Sequence, residues 1–267
     1  MGNLVKFEFY KLFRQKSFYI CSAIMVGLIL ISTFTLNMLA NISQGAMGAD
    51  GVTVSMMGGM ELSGIYMLTG ALAGNDISII LAVLLALFIC TDYTNGTLKN
   101  VIAKGYNRIS VYGAKFVVSL VAATILAVIS WLTGFVSGTI CWGVGNPSDG
   151  VNVGRIILIL AVQLLGMYAY TSFFFLICVL LKKTGGAIAV GIVTPLVLSI
   201  VLSLVDILAK KLSFSFVPSE YWMDTCFMEV SVSSVASDIM TRSIICFAIY
   251  IVIFAVGGHF IARKSEV

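Results

Sequence analysis

The sequence predicts an all-α integral membrane protein with six transmembrane helices, and two observations carry that expectation. Of 267 residues, 60% are hydrophobic and only 10% charged, against about 25% charged in a soluble domain. The apolar residues are also gathered into runs that, at about 1.5 Å per residue, match a hydrocarbon core about 30 Å thick. With a mean hydropathy of +1.06, the spans leave only loops between them, so no soluble catalytic domain fits. Residues 1–267 read as a single transmembrane domain. The net charge is +4, but there is no basic run of five or more residues. The cations gather at span ends, which fits membrane orientation and not nucleic acid.

The elements follow in order. Residues 1–17 predict an interfacial helix, with Val5, Phe9, Leu12 and Phe13 in one helical sector, Glu8, Lys11 and Gln15 beside it and Arg14 opposite. The first apolar run begins at Phe18 with no small-residue cleavage pattern after it, so it reads as a retained span and not a cleaved signal. Span one covers 18–40, interrupted only by small polar residues and Asn37. A Gly- and Met-rich loop follows from Gly45 to Gly64. Span two covers 65–90 and contains Asn75 and Asp76; the run Ile77 to Ile89 is too short to cross alone, so the helix includes that pair or breaks at it. Counting back from Asp92 places Asp76 roughly 24 Å away, near the opposite boundary of the core, where a carboxylate is wetted without a special role. Spans three to six cover 116–142, 156–181, 185–205 and 243–262.

Six spans put both termini on one side. Twelve Lys and Arg residues (Lys6, Lys11, Arg14, Lys16, Lys99, Lys104, Arg108, Lys115, Lys182, Lys183, Arg263 and Lys264) fall on that side, against Arg155, Lys210, Lys211 and Arg242 opposite. That asymmetry predicts cytoplasmic termini. Trp142 and Trp222 then belong to the outer interface, with Phe18, Tyr19 and Tyr112 at the inner one.

The loop 91–115 is the most informative stretch, and within it a short helix is encoded. Thr97 is a good N-cap, Leu98, Val101 and Ile102 share a face at i, i+3 and i+4, Lys104 complements the C-terminal dipole, and Gly105 suits the left-handed position after the helix. It would lie flat beneath the membrane, apolar on one side and cationic on the other. Any cytoplasmic loop of a membrane protein is basic and mildly amphipathic, so the residues alone leave its role open.

The run Asp92-Tyr93-x-x-Gly96-Thr97-Leu98-Lys99-Asn100, followed by Gly105, Arg108, Tyr112 and Lys115, resembles the loop of ABC type-2 exporter permeases, relatives of bacterial multidrug and peptide-antibiotic exporters. In them an acidic-aromatic-x-x-Gly-Thr-aliphatic-basic run ends span two. The six-span layout and the basic, aromatic N-terminal helix agree with it. Many members carry Pro-x-Ser-Arg where this chain has Gly105-Tyr106-Asn107-Arg108, which leaves the subfamily and the substrate open.

The resemblance implies a membrane permease subunit of an ATP-driven exporter in a bacterial-type plasma membrane, with two permease copies, identical or different, forming the pathway beside two ATPase subunits. It implies that 91–115 and the N-terminal helix contact the ATPase, with Thr97, Leu98, Lys99, Val101, Ile102, Lys104 and Arg108 as the coupling interface. Physically, a helix-in-groove contact through Leu98, Val101 and Ile102, rimmed by Lys99 and Lys104, is the expected mode. No Gly-x4-Gly-Lys-Ser/Thr pattern occurs in the chain, so ATP and Mg are expected on the partner and no cofactor or metal on this chain. In similar permeases the region matching 207–241 forms short re-entrant helices at the outer leaflet. That agrees with its mix of Phe214, Phe216, Tyr221, Trp222, Phe227 and Met228 with Pro218, Glu220, Asp224, Glu229 and Asp238.

Asn75, Asp76, Gln163, Thr194 and Pro195 are the candidate pathway residues; packing between helices explains Gln163 and the Thr194-Pro195 pair equally well. Gly70-x3-Gly74 and Gly134-x3-Gly138 suit close helix contact, within one chain or across a dimer. The cluster Met56-Met57-Gly58-Gly59-Met60 suits flexible packing more than copper(I) ligation, since its loop has no Cys or His. His259 reads as an interfacial side chain. All six cysteines but Cys226 lie in or beside apolar runs, and pairing of Cys141 with Cys226 stays open. A charge-poor interior and an aromatic outer segment favour an amphipathic peptide, a lipid or a drug as cargo. An ATP-independent secondary transporter or channel is the competing reading, weakened by the scarcity of ionisable residues at mid-span. An intramembrane enzyme lacks HExxH, GxSxG and paired acids at helical spacing.

Overall fold

Two helices, α4 (Asn75–Thr94) and α7 (Val153–Leu181), are buried over most of their length and form the centre on which the rest packs. The computed structural model describes residues 2–46, 62–73, 75–145, 153–211, 217–231 and 237–264. Within these, α1 (Gly2–Arg14) leads through Gln15 into α2 (Lys16–Ala46); α3 (Gly64–Gly70) precedes α4; α5 (Thr97–Ala103) separates α4 from α6 (Arg108–Trp142). Then come α7, α8 (Thr184–Lys211), a 3₁₀ turn at Pro218–Tyr221, α9 (Met223–Val230) and α10 (Ser237–Lys264). Six helices, α2, α4, α6, α7, α8 and α10, are long and apolar enough to cross a membrane. The described residues contain no strand.

Burial follows from composition. α7 is apolar around its whole circumference, as suits a helix with neighbours on every side, whereas α2, α8 and α10 turn Ile, Leu, Val and Phe side chains outward. In lipid those faces have no water to avoid, so their exposure costs nothing. Buried hydroxyls are satisfied along their own helices: Thr33, Ser119, Ser130 and Thr171 each donate to the carbonyl four residues back at 2.7 to 2.9 Å.

The structure departs from the expected span 65–90, which is two helices. α3 ends at Gly70, and α4 begins at Asn75 after a turn. α3 is held away from the α4 axis by α6, where Gly134 and Gly138 leave room for Met67. A Cβ on Gly134 would stand 2.6 Å from the Met67 carbonyl oxygen, and one on Gly138 would stand 2.7 Å from the Met67 side chain. Ser63 caps α3 by accepting from the Tyr66 amide at 3.2 Å, and the Gly64 amide donates to the Gly143 carbonyl at 2.9 Å. The Gly134-x3-Gly138 pair thus serves a contact within the chain. α4 is long enough to cross because it runs on to Thr94, about 30 Å for 20 residues; it continues past Cys90 because Asp92 is paired and buried. α6 likewise starts at Arg108 and not at 116, its first turn capped by the Asn107 side chain, which accepts from the Ile109 amide at 3.2 Å.

At the other end of the bundle, the 3₁₀ turn and α9 fold onto α7, α8 and α10. Met223, Cys226, Phe227 and Val230 form the buried face of α9. Gly166 of α7 makes room for Phe227, whose ring carbons would lie 2.5 Å from a Cβ there.

Candidate functional site

α5 is bracketed by two glycines in the left-handed region, Gly96 (φ 67°) and Gly105 (φ 88°). Each reverses the chain where a Cβ would be strained, so seven helical residues are set off as a separate body between α4 and α6. Leu98 is its anchor, 2% exposed within the core, and Val101 packs partly against the same core. Two residues of the expected docking face, Leu98 and Val101, are therefore turned toward the chain's own bundle, because burying Leu98 there removes its side chain from lipid and water alike. Thr97 and Ala103 within the helix, and Lys104, Gly105, Tyr106 and Asn107 just after it, are exposed. Lys99, Ile102 and Arg108 are placed on the backbone of α5 and at the start of α6, and their side chains lie outside the described set.

Thr97 begins the helix, and its hydroxyl reaches back to α4. It donates to the Asp92 carboxylate Oδ1 at 2.8 Å and lies 3.3 Å from the Asp92 carbonyl. Asp92 also accepts from Lys11 of α1 through Oδ1 and from Lys115 of α6 through Oδ2. The Lys115 ammonium lies 3.0 Å from both carboxylate oxygens of Glu8 on α1. Two cations and two anions thus close a neutral cluster joining α1, α4, α5 and α6. Glu8, Asp92 and Lys115 are 2%, 4% and 1% exposed. The ring of Phe88 borders it, 5.3 Å from the Lys115 nitrogen and 5.9 Å from that of Lys11. Next to it the Tyr93 and Tyr112 hydroxyls share a 2.5 Å hydrogen bond, and the Gln15 amide donates to the Leu87 carbonyl at 3.2 Å.

α1 is rotated from the expected sector. Leu4, Glu8 and Leu12, at i, i+4 and i+8, are its buried stripe, while Phe7, Tyr10 and Phe13 are exposed. The reason is Lys115, which gives Glu8 a partner inside the bundle and draws its side of the helix inward. The Arg14 guanidinium lies over the Tyr10 ring and donates to its hydroxyl at 3.2 Å. Sequence reasoning placed Glu8 and Lys11 beside the apolar sector of the first helix, counted Lys11 and Lys115 toward orientation and gave Asp92 to the loop motif, and so missed the cluster. The available signal was Glu8 itself, a carboxylate midway between Leu4 and Leu12 on one helical stripe.

The candidate pathway residues lie on three helices, α4, α7 and α8. Asn75 and Asp76 open α4, with side chains outside the described set. Gln163 is fully buried in α7: its carbonyl accepts from the Trp131 indole at 3.0 Å, and its amide donates to the Thr69 carbonyl at 2.6 Å and lies 3.2 Å from the Ser231 hydroxyl. It ties α3, α6, α7 and the end of α9 together. Thr194 donates to the Val190 carbonyl at 2.6 Å, one turn before Pro195, which is buried inside α8. An apolar cavity of about 90 Å³ lies between α2, α3 and α4, lined by Met25, Ile29, Met67, Ala71, Ile77 and Ile80 with their neighbours.

Around the 3₁₀ turn, Arg242 bridges Glu220 at 2.6 Å and Glu229 at 2.5 Å, and Asp224 accepts from the Tyr170 hydroxyl and from the Trp222 indole, the latter at 2.7 Å. Asp206 of α8 accepts from the Ser219 amide at 3.2 Å. Cys141 is exposed and Cys226 buried, both free thiols; burial pushes the Cys226 thiol up to about 12. Among the described residues no group of three or more His, Cys, Asp or Glu side chains is arranged to hold a metal. The Met56 to Met60 cluster lies outside the described residues, and the His259 side chain lies outside the described set.

A family model described as ABC-2 family transporter protein matches residues 4–206, from α1 into α8. No curated protein matches the chain.

Proposed function

The chain belongs to the ABC-2 family of transporter proteins, and on that premise we propose that it is the permease subunit of an ATP-driven exporter, working as a dimer of permeases with two separate ATPase subunits. The observation that carries the reading is α5, a short helix set off by Gly96 and Gly105, seated by Leu98 and tied through Thr97 to a charge cluster reaching α1. A helix seated on its own bundle and showing Lys104 and Tyr106 outward suits a partner that pushes on it. Thr97, Leu98, Lys99, Val101, Ile102, Lys104 and Arg108 remain the coupling segment, with roles divided. Leu98 and Val101 hold the helix to the permease, and Lys104 at its outward end meets the ATPase rim. Nucleotide and Mg belong to the partner, since the chain carries no phosphate-binding loop pattern.

The termini lie on the cytoplasmic side with α5, a placement that the distribution of Lys and Arg supports. The cargo is an amphipathic peptide, a lipid or a drug, which suits apolar helix faces, the apolar cavity beside α4, and a pathway passing Asn75, Asp76, Gln163, Thr194 and Pro195. The test is purification of the tagged chain in mild detergent with mass spectrometry of what accompanies it. A soluble ATPase is expected with the wild type and at reduced yield with Lys104→Glu, while Leu98→Asp, which unseats α5, loses it entirely. If the chain purifies alone and its transport ignores ATP while following an ion gradient, the secondary-transporter reading replaces this one.

A further inference from the structure

We propose that Glu8, Lys11, Asp92 and Lys115 form an ionic latch that makes α1 and α5 move as one body, so that Asp92 and Lys115 are positioning residues for the transmission of ATPase motion. The transmission clause rests on the coupling function proposed above; the mechanical clause does not. One carboxylate, Asp92, is bonded to three other elements at once: α1 through Lys11, α5 through the Thr97 hydroxyl and α6 through Lys115. α1 is held a second time through Glu8, which Lys115 approaches at 3.0 Å. Displacing α5 pulls on Asp92, and the same atom pulls on α1.

The cluster is balanced when closed, and the partial exposure of one member gives it a place to open. The two lysines and two acids balance, so no net charge is buried. Three of the four side chains are at most 5% exposed, but Lys11 is 29% exposed. Lys11 is therefore the one partner that water reaches; when it withdraws, Asp92 keeps Lys115 and Thr97, and the single negative charge left unbalanced draws Lys11 back. A purely static joint has no need of charge, because apolar side chains of similar volume hold buried helices as well or better. Leu4, Leu12 and Leu98 already supply such packing around the cluster.

The experiment places spin labels on Tyr10 of α1 and Ala103 of α5, both exposed, in the full chain in lipid nanodiscs with whatever subunit copurifies. The inter-label distance distribution is read for wild type, Asp92→Asn, Thr97→Val and a neutral variant combining Glu8→Gln, Lys11→Met, Asp92→Asn and Lys115→Met. Expected are a narrow distribution in the wild type and broad ones in all three variants. The neutral variant recovers the wild-type melting temperature, since it strands no charge, yet loses about tenfold in cargo moved per ATP hydrolysed, the size of an ordinary coupling between sites. A neutral variant that recovers both melting temperature and transport would reduce the cluster to a structural joint and overturn the proposal. A broad distribution already present in the wild type would also overturn it. A narrow wild-type distribution that broadens in Asp92→Asn, in a chain with no copurifying ATPase, would uphold the mechanical linkage while removing the function it was meant to serve.

Discussion

The two ends of the bundle solve the same problem with different chemistry. At the α1 and α5 end, Lys115 stands between the carboxylates of Glu8 and Asp92; at the α3 and α9 end, Arg242 stands between those of Glu220 and Glu229. The first bridge is almost sealed, and it joins residues 107 and 23 positions apart in sequence. The second leaves Arg242, Glu220 and Glu229 with side chains 23%, 45% and 30% exposed and spans 22 and 13 positions. Screening by solvent makes the second weak and replaceable, whereas in the first each charge depends on the other three. Around the second bridge, apolar packing of Met223, Phe227 and Val230 does the holding. The α1 and α5 end is therefore a joint made of charge, and the opposite end a cap made of contact.

The largest effect expected from this contrast is in Lys115→Met. The substitution strands Glu8 in the core and leaves Asp92 with Lys11 and the Thr97 hydroxyl, and removing one partner of a buried pair costs about 3–5 kcal/mol. A melting curve in detergent should fall accordingly, and most of the loss should return when Glu8→Gln and Asp92→Asn are added. A Lys115→Met protein melting like the wild type would mean that water already reaches the cluster.

The difference between the ends also explains what was legible in the sequence. The six spans, the α5 segment and the segment between α8 and α10 are written in local pattern: apolar runs, a cap, two glycines, and aromatic residues in a supposed loop. The cluster is not local. Glu8, Lys11, Asp92 and Lys115 each look like ordinary residues at the edge of a span, and only the packing of α1 against α4 and α6 removes water from them. For the same reason α4 outran its expected end at residue 90, since a paired Asp92 does not stop a helix where a solvated one would. The break between α3 and α4 was half legible, because Asn75 and Asp76 marked its place, but the room that Gly134 and Gly138 leave for Met67 comes from residues about 70 positions away in sequence.

Contact at the α3 and α9 end should respond to volume where the other end responds to charge. Gly134→Ala puts a methyl 2.6 Å from a backbone carbonyl that has no rotamer with which to yield, and Gly166→Ala meets the Phe227 ring at 2.5 Å. Overpacking of this kind costs about 1–3 kcal/mol. Gly70→Ala, with nothing within 4 Å of its Cβ, is the control and should melt within error of the wild type. Equal losses at all three positions would show that α3 is not seated on α6 as described.

Arg242→Gln carries the smallest effect, under about 1 kcal/mol for a solvent-screened bridge, and Cys226 reports whether that is so. Its thiol is buried and pushed up to about 12, while the thiolate is the reactive form. At pH 8 a maleimide should therefore modify exposed Cys141 and leave Cys226 untouched. The same shift sets a sign for stability. The folded state holds its proton longer than the unfolded one, so this thiol's contribution is complete below an ordinary cysteine's range near 8.5 and is lost as pH rises toward 12. If packing holds α9, Arg242→Gln keeps Cys226 protected at pH 8, because Met223, Phe227 and Val230 still cover it. If the ion bridge holds α9, the variant opens the segment, the thiol meets water, its ionisation falls back toward the ordinary range, and labelling appears at a pH where the wild type shows none.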